Sequence, residues 1–235
     1  MQIYEYRKVT STQDLAKKYL EEKNNKTAAF IAQEQTAGYG KRGRSFYSPA
    51  KTGIYLSIAL PNFKIDLNYA GLLTLAIGIS VVPVLKKQFP ANDFQLKWVN
   101  DIYLNDRKIA GILTEKTKFG LIVGIGINIT TTSFPSSISD HVGNITQSDV
   151  DNNQISRKLV KAIIQATKTY QNAKFLDNYR ELSYLKNKKV TLKVGRKHIT
   201  GRVVTIDNQG RLVIACQNTL RRYSSGEVIK VELNK

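Results

Sequence analysis

The chain has 235 residues, of which 42% are hydrophobic and 23% charged, a composition typical of globular proteins and unlike that of disordered chains. Its net charge of +18 favours an acidic partner: a nucleic acid, a membrane surface, an acidic protein or a phosphorylated ligand. The single cysteine excludes an internal disulfide, and the first residues lack the charged-then-apolar order of a secretory signal, so we expect a cytoplasmic protein.

The first residues of the chain predict a strand, a helix and two buried strands. Residues 3–9 have the pattern of a strand, and Ser11 followed by Asp14 is typical of a capping box at a helix N-terminus. Residues 28–31 and 54–60 are apolar runs that predict buried strands. The segment between these two runs is therefore a loop held by a strand on each side.

That loop contains three glycines together with Lys41, Arg42 and Arg44. Glycine brings backbone N–H groups close to a ligand, and the cations add charge-assisted donors that suit phosphate or carboxylate oxygens. The composition therefore indicates an anion-binding loop. On these residues alone, an ordinary solvated basic loop explains the composition equally well.

The middle of the chain predicts a long helix followed by a sheet. Residues 68–87 have apolar side chains at helical spacing, and Pro83 is expected to kink the last turns. Their apolar run is shorter than the roughly 20 residues that cross a bilayer, so we expect a core helix and no membrane partner. Short strands are predicted around 94–98, 102–104 and 109–113, with a hairpin turn at Asn105 and Asp106, and a strand with two apolar faces at 121–129.

The last part of the chain predicts helices and then a small separate domain. Residues 155–185 have helical spacing with a break near Asn172, and we place a domain boundary near Leu185, between domains 1–184 and 185–235. Cys216 is expected to be a buried, unreactive thiol. A small barrel is predicted from five short strands, at 189–194, 199–206, 212–216, 220–223 and 228–231.

Three motifs follow the basic loop in order: KWVND at 97–101, KIAG at 108–111 and GIGIN at 124–128. Together with Ser11-Thr12-Gln13, Gln35 and the late Ser225-Gly226-Glu227, this set resembles biotin protein ligase over nearly the whole chain. The resemblance implies an α/β (α+β) fold, in which a mixed-sheet catalytic domain of the biotin/lipoate ligase type precedes a small SH3-like β-barrel.

The resemblance also implies a two-step reaction. Biotin's carboxylate attacks the α-phosphate of MgATP to give biotinyl-5′-AMP and pyrophosphate. A lysine of a biotin carboxyl carrier domain, from acetyl-CoA carboxylase or pyruvate carboxylase, then attacks the mixed anhydride. ATP, Mg²⁺ and biotin are thus the implied cofactor and substrates. His141 and His198 lack companions at metal-ligand spacing, so we expect no protein-built metal site and Mg²⁺ that arrives with the nucleotide.

By the family pattern, three groups of residues are assigned to the site. The catalytic group is Lys108, Lys41 and Arg44. The biotin-binding group is Ser11, Thr12, Gln13, Gln35, Gly38, Tyr39, Gly40, Lys41, Lys108 and Gly111. The ATP-binding group is Arg42, Arg44, Phe46, Trp98, Asn100, Asp101 and Asn128.

Plainer interpretations stand beside several of these assignments. Ser11 is explained equally well as a helix cap, Lys108 as an ordinary hairpin charge, and Trp98 as core packing. The glycines of 124–128 could serve only to let neighbouring elements approach. Asn128 ends an apolar strand, where a buried amide must find hydrogen-bond partners.

The sequence also departs from the family's loop pattern. Tyr39 and Lys41 occupy the places of two arginines, and Phe46 or Tyr47 must serve where an aromatic residue is expected. Lysine cannot reproduce the planar bidentate geometry of arginine, so the fork geometry is partly lost. Val99 replaces the usual proline of the 97–101 motif.

Other functions and partners fit parts of the same sequence. Some members of the family carry an N-terminal helix-turn-helix, for which this chain has no room, so we expect an enzyme that binds no operator DNA; a homodimer stays open. The excess charge is then expected to steer an acidic carrier domain. The alternatives are a lipoate or octanoate ligase, whose arginine and triple-glycine signature is missing, and a basic nucleic-acid-binding protein, which Arg221, Arg222 and Tyr223 favour.

Overall fold

Two β-sheets and four α-helices make up the computed structural model, which describes residues 1–217 and 219–232. The helices are α1 (Thr12–Glu21), α2 (Ala70–Gln88), α3 (Asn152–Thr169) and α4 (Phe175–Glu181). The strands are β1 (Gln2–Tyr6), β2 (Ala28–Ala32), β3 (Gly53–Pro61), β4 (Gln95–Lys97), β5 (Asp101–Leu104), β6 (Arg107–Thr117), β7 (Gly120–Asn128), β8 (Lys189–Val194), β9 (Lys197–Ile206), β10 (Leu212–Cys216), β11 (Thr219–Tyr223) and β12 (Glu227–Glu232).

The larger sheet is mixed and has seven strands in the order β1-β2-β3-β7-β6-β5-β4. Only the β1–β2 pair is parallel among the pairs of this sheet, and the remaining pairs are antiparallel. The predicted strands and helices are all found, with ends shifted by a few residues. The predicted hairpin turn at Asn105 and Asp106 is confirmed, and both residues have positive φ.

Strand β7 shows why the sheet has two different faces. Its residues Val123, Ile125 and Ile127 belong to the main core, with the residues of α2 and α3. Its opposite face carries Gly124 and Gly126, which line a cavity instead of a core. The prediction of two apolar faces is therefore wrong for the second half of this strand, because glycine removes the side chains that would fill that side.

Helix α2 is the one helix in the described part of the chain that is long and apolar enough to cross a bilayer. Leu72, Leu75, Ile77 and Leu85 are at most 1% exposed and pack in the main core. The helix also packs against α3 and β6. It is thus a core helix, as predicted, and Pro83 lies within its length.

The smaller sheet is antiparallel, with five strands in the order β11-β10-β9-β8-β12, and corresponds to the predicted SH3-like unit. Cys216 is partly exposed rather than fully buried, because it lies at the end of β10. The predicted boundary near Leu185 stays a proposal. Asn218 and residues 233–235 of the predicted domain lie outside the described residues.

The two sheets are joined by the turn between β9 and β10. The indole Nε1 of Trp98 donates to the carbonyl oxygen of Gly210 at 2.9 Å. Arg180 at the end of α4 donates to the carbonyl oxygen of Ile206 and to the side chain of Asn208, both at 2.7 Å. Trp98 is 4% exposed, so its ring is a packing and anchoring group between the sheets.

Replacing Trp98 with Phe tests this joint. An aromatic ring is kept, although it is smaller than the indole, and the buried carbonyl of Gly210 loses its donor, which alone typically costs about 1–3 kcal/mol. We expect the midpoint of urea unfolding to fall accordingly. Circular dichroism is the suitable signal, because this variant contains no tryptophan. An unchanged midpoint would mean that the hydrogen bond contributes nothing to the joint.

Candidate active site

A cavity of about 690 Å³ lies over the glycine face of the larger sheet, between the basic loop and strand β12 of the smaller sheet. Its volume is in the range typical of small-molecule sites. All the residues assigned to the site from the sequence line it, except Gly38. Gly38 is buried in the loop, where a Cβ would lie 2.6 Å from Gln35 Nε2 and 2.7 Å from Ser48 Oγ. Close packing within the loop explains this glycine, and its predicted place against the ligand stays a prediction.

One end of the cavity has a buried polar floor. The hydroxyl of Ser57 donates to Gln13 Oε1 at 2.9 Å, and Gln13 Nε2 donates to Glu115 Oε2 at 2.7 Å. Thr12 Oγ1 lies 2.9 Å from Ser57 Oγ and 3.1 Å from Gln35 Oε1, so its single hydroxyl proton is used within the floor. The backbone N–H of Thr12 donates to Gln35 Oε1 at 2.8 Å. These bonds fix the floor side chains before any ligand arrives.

Helix α1 begins at this floor because Ser11 caps it. Ser11 has extended backbone angles, and its hydroxyl oxygen accepts from the backbone N–H of Gln13 at 3.2 Å. The predicted cap is confirmed. The hydroxyl proton of Ser11 makes no hydrogen bond within residues 1–217 and 219–232, so this 1%-exposed group can also donate to a ligand.

The basic loop is an ordered hairpin that contains a short 3₁₀ turn at Lys41–Gly43. The backbone N–H of Gly40 donates to the carbonyl of Arg44 at 2.8 Å. Tyr39 donates its hydroxyl to Asp14 Oδ1 at 2.9 Å, and burial followed by this bond raises its pKa. The residue is thus a neutral anchor of the loop on α1.

The two arginines of the loop face the smaller sheet. Arg42 Nη1 lies 2.7 Å from Glu227 Oε2, and Arg44 pairs with the other oxygen of the same carboxylate. The hydrogen bond from Arg44 is the largest of the effects that hold the pKa of Glu227 below its usual value. Both predicted nucleotide-binding arginines therefore line the cavity. Their positive charges share a single carboxylate, that of Glu227 on β12.

The substitution Glu227→Gln tests this contact between loop and sheet. Each exposed ion pair stabilises by about 0.2–1 kcal/mol, so we expect trypsin to cleave after Arg42 and Arg44 severalfold faster. Fragment masses followed over time measure the rate. Glu232→Gln is the matched control, because Glu232 lies on the same strand and pairs with Lys189 instead. Equal acceleration in both variants would contradict the role of Glu227.

Lys108 and Asp101 form the cationic wall beyond the floor. Lys108 Nζ lies 2.6 Å from Asp101 Oδ1, the distance of a close ion pair. Asp101 Oδ1 is buried and accepts no hydrogen bond from the described residues. The wall thus pairs a half-buried ammonium with a carboxylate oxygen that has unused acceptor capacity.

The remaining predicted nucleotide residues have structural partners of their own. Asn100 Nδ2 donates to the carbonyl of Ile112 at 3.0 Å, and Asn128 Nδ2 donates to that of Gly143 at 3.0 Å. The ring of Phe46 lies on Gly126, where a Cβ would be 2.4 Å from its Cε1 atom. The predicted close approach at this glycine agrees with the structure, and it places an aromatic ring in the cavity wall.

Sequence reasoning missed several polar residues of the site: Ser57, Ser48, Glu115, Lys97 and the ionic role of Glu227. Ser57 had a visible signal, since it is a lone hydroxyl in an otherwise apolar strand. Glu115 and Glu227 had none, because their partners lie far away in sequence, and Lys97 stands in the 97–101 motif without a signal of its own burial. No group of three or more His, Cys, Asp or Glu side chains that could hold a metal ion occurs in the described ranges.

Comparison with known proteins gives the family. Residues 5–131 match the profile of the biotin/lipoate A/B protein ligase family. The chain belongs to this family. Residues 187–231 match the biotin protein ligase C terminal domain, so the family assignment extends to the smaller sheet.

The alignments with known relatives include residues of both sheets. The bifunctional ligase/repressor BirA of Escherichia coli (strain K12) is 33% identical over 214 residues, and the chain spans 65% of that relative's length and aligns over 85% of its own. The biotin–[acetyl-CoA-carboxylase] ligase of Mycobacterium tuberculosis is 29% identical over 85% of this chain and 77% of its own. Biotin protein ligase from Aquifex aeolicus, solved in complex with biotin and ATP, has a TM-score of 0.84 at 30% identity, over 96% of this chain and 97% of that one.

Proposed function

We propose that this protein is an ATP-dependent biotin protein ligase, which makes biotinyl-5′-AMP and transfers biotin to a lysine of a biotin carboxyl carrier domain of acetyl-CoA carboxylase or pyruvate carboxylase. The observation that carries the proposal is a single cavity that joins a buried neutral floor to a cationic wall and loop. A ligand with a neutral polar head and a carboxylate tail fits that order. The relatives' names support the same choice.

The floor suits the ureido ring of biotin. A ureido group presents one carbonyl oxygen and two N–H donors, so it needs donors and acceptors side by side. The hydroxyl proton of Ser11, the hydroxyl oxygen of Thr12 and the amide of Gln35 supply both kinds at the buried end. Because these groups are already held by hydrogen bonds, little ordering is needed when the ligand binds.

The wall suits the chemistry of both steps. Negative charge builds on oxygen when the carboxylate attacks the α-phosphate, and again when the carrier amine attacks the anhydride. Lys108, and Lys41 at the cavity mouth, present fixed positive charge to that position, which is the most effective way to stabilise such transition states. The ordered loop and floor would hold the reactants close together, which supplies much of the remaining acceleration.

The Mg²⁺ that accompanies ATP fits the wall. Asp101 Oδ1 is a buried carboxylate oxygen whose contact is the Lys108 ammonium at 2.6 Å, and Mg²⁺ is commonly held by one or two carboxylates together with substrate phosphates. When bound, the ion would neutralise phosphate charge. ATP and carboxylase carriers are cytoplasmic reactants, so the proposed reaction belongs in the cytoplasm.

The test is a direct labelling reaction. The protein is incubated with ATP, Mg²⁺, biotin and an isolated biotin carrier domain, and the carrier is weighed by mass spectrometry. We expect one biotinyl addition per carrier, which depends on ATP. If no addition appears and calorimetry detects no binding of biotin, the proposed function is wrong.

A further inference from the structure

Lys97, at the end of β4, is a largely buried cation in the cavity that the family pattern did not assign to any role. Its ammonium donates to the hydroxyl of Tyr103 at 2.9 Å and lies 4.9 Å from the centre of that ring. Within the described ranges it has no carboxylate within 4.0 Å. The partner of this charge is therefore a neutral phenol.

Several other cations of the cavity have a carboxylate partner, whereas Lys41, which is exposed, has none within 4.0 Å among the described residues. Lys108 pairs with Asp101, Arg42 and Arg44 share one glutamate, and Lys188 lies 3.7 Å from Asp106. Burying a charge without a counter-ion costs several kcal/mol unless something repays the lost hydration. Burial is the main cause that lowers the pKa of Lys97, while Asp101 partly opposes this change. An anionic ligand would repay the cost.

The position of Lys97 relative to the floor indicates which anion this is. The floor lies on β3 and β7, Lys108 lies on β6, and Lys97 lies beyond them on β4, because the strand order is β3-β7-β6-β5-β4. In phosphoryl chemistry the attacking and leaving oxygens lie roughly in line. A carboxylate that enters from the floor and attacks a phosphorus at Lys108 therefore expels its leaving group toward Lys97.

We propose that Lys97 binds the β- and γ-phosphates of ATP and stabilises the departing pyrophosphate, an inference that rests on the proposed function. A carboxylate oxygen of biotin forms the new bond to the α-phosphorus. The bond from that phosphorus to the bridging oxygen breaks, and its electron pair stays on pyrophosphate. Lys97 compensates the added negative charge without giving up a proton.

The test separates the two half-reactions in Lys97→Met, which keeps the stem and removes the charge. With ATP and biotin, formation of biotinyl-5′-AMP should fall about 100-fold, as for loss of one preorganised charged donor. With synthetic biotinyl-5′-AMP supplied, transfer to the carrier should stay within about twofold, because pyrophosphate takes no part in that step. Inhibition by added pyrophosphate should weaken in parallel with adenylate formation.

Lys188→Met is the matched control, since Lys188 is a neighbouring lysine that is already paired and lies over the ring of Tyr184. It should leave both half-reactions unchanged. The melting temperature of Lys97→Met should not fall, because removing a buried uncompensated charge does not weaken the fold. A parallel loss of both half-reactions with a lower melting temperature, or undiminished adenylate formation, would overturn the proposal. If wild-type protein transfers nothing from supplied biotinyl-5′-AMP, the proposed function itself fails.

Discussion

Lys108→Ala is expected to lower ATP-dependent biotin labelling of a carrier domain by about 100- to 1,000-fold, the usual cost of removing one preorganised donor at a developing oxyanion. Lys108 is the half-buried cation of the wall, 2.6 Å from Asp101. Without it, the carboxylate of Asp101 faces the incoming carboxylate and phosphate uncompensated. Both steps should therefore slow, in contrast to the single-step effect expected for Lys97.

Two further variants make this result interpretable. Lys116→Ala, on the same strand and exposed, should label the carrier at the wild-type rate. The double variant Lys108→Ala with Asp101→Asn removes the uncompensated carboxylate as well. If that double variant regained full activity, repulsion by Asp101 would explain the whole loss, and the catalytic role of Lys108 would be wrong. Rates are measured by mass spectrometry of the carrier.

The sequence predicted the elements of this fold well where the pattern is local. Ser11 sits at a helix start and was expected to cap it, and the apolar side chains of α2 have the helical spacing of the core helix that was expected. The pattern failed at β7, which has the composition of a strand buried on both sides. Only the assembled sheet shows that the face with Gly124 and Gly126 is open.

The candidate site was predictable to the extent that its residues form local motifs. Lys108 and the cationic loop were found in this way, but their partners were not. Glu227 meets Arg42 across 185 positions of sequence, and Glu115 meets Gln13 across 102. Such pairs form because the assembled sheets bring β12 and β6 close to residues that are distant in sequence. The spacing of residues along the chain cannot predict this proximity. Lys97 was missed for a related reason, since the lack of a counter-ion is visible only in three dimensions.

The glycines of β7 give the second large prediction, because the same small change at two neighbouring positions should affect different ligands. A Cβ at Gly124 would lie 2.4 Å from Gln13 Oε1, which is locked by Ser57 in the polar floor. A Cβ at Gly126 would lie 2.4 Å from Phe46 Cε1. The ring of Phe46 is the side chain that we expect to contact the nucleotide. Both distances are shorter than real Cβ contacts, so the Gln13 amide or the Phe46 ring must shift from its place in the cavity wall.

Gly124→Ala should therefore weaken biotin binding, and Gly126→Ala should weaken ATP binding in the presence of saturating biotin. Overpacking of this kind costs about 1–3 kcal/mol, or roughly 5- to 150-fold in the dissociation constant. Calorimetry measures both affinities in both variants, so each variant controls for the other on the same strand and the same face. A general distortion of the sheet would weaken both ligands equally in both variants, and that outcome would contradict the separate places assigned to biotin on the floor and to the nucleotide beside Phe46.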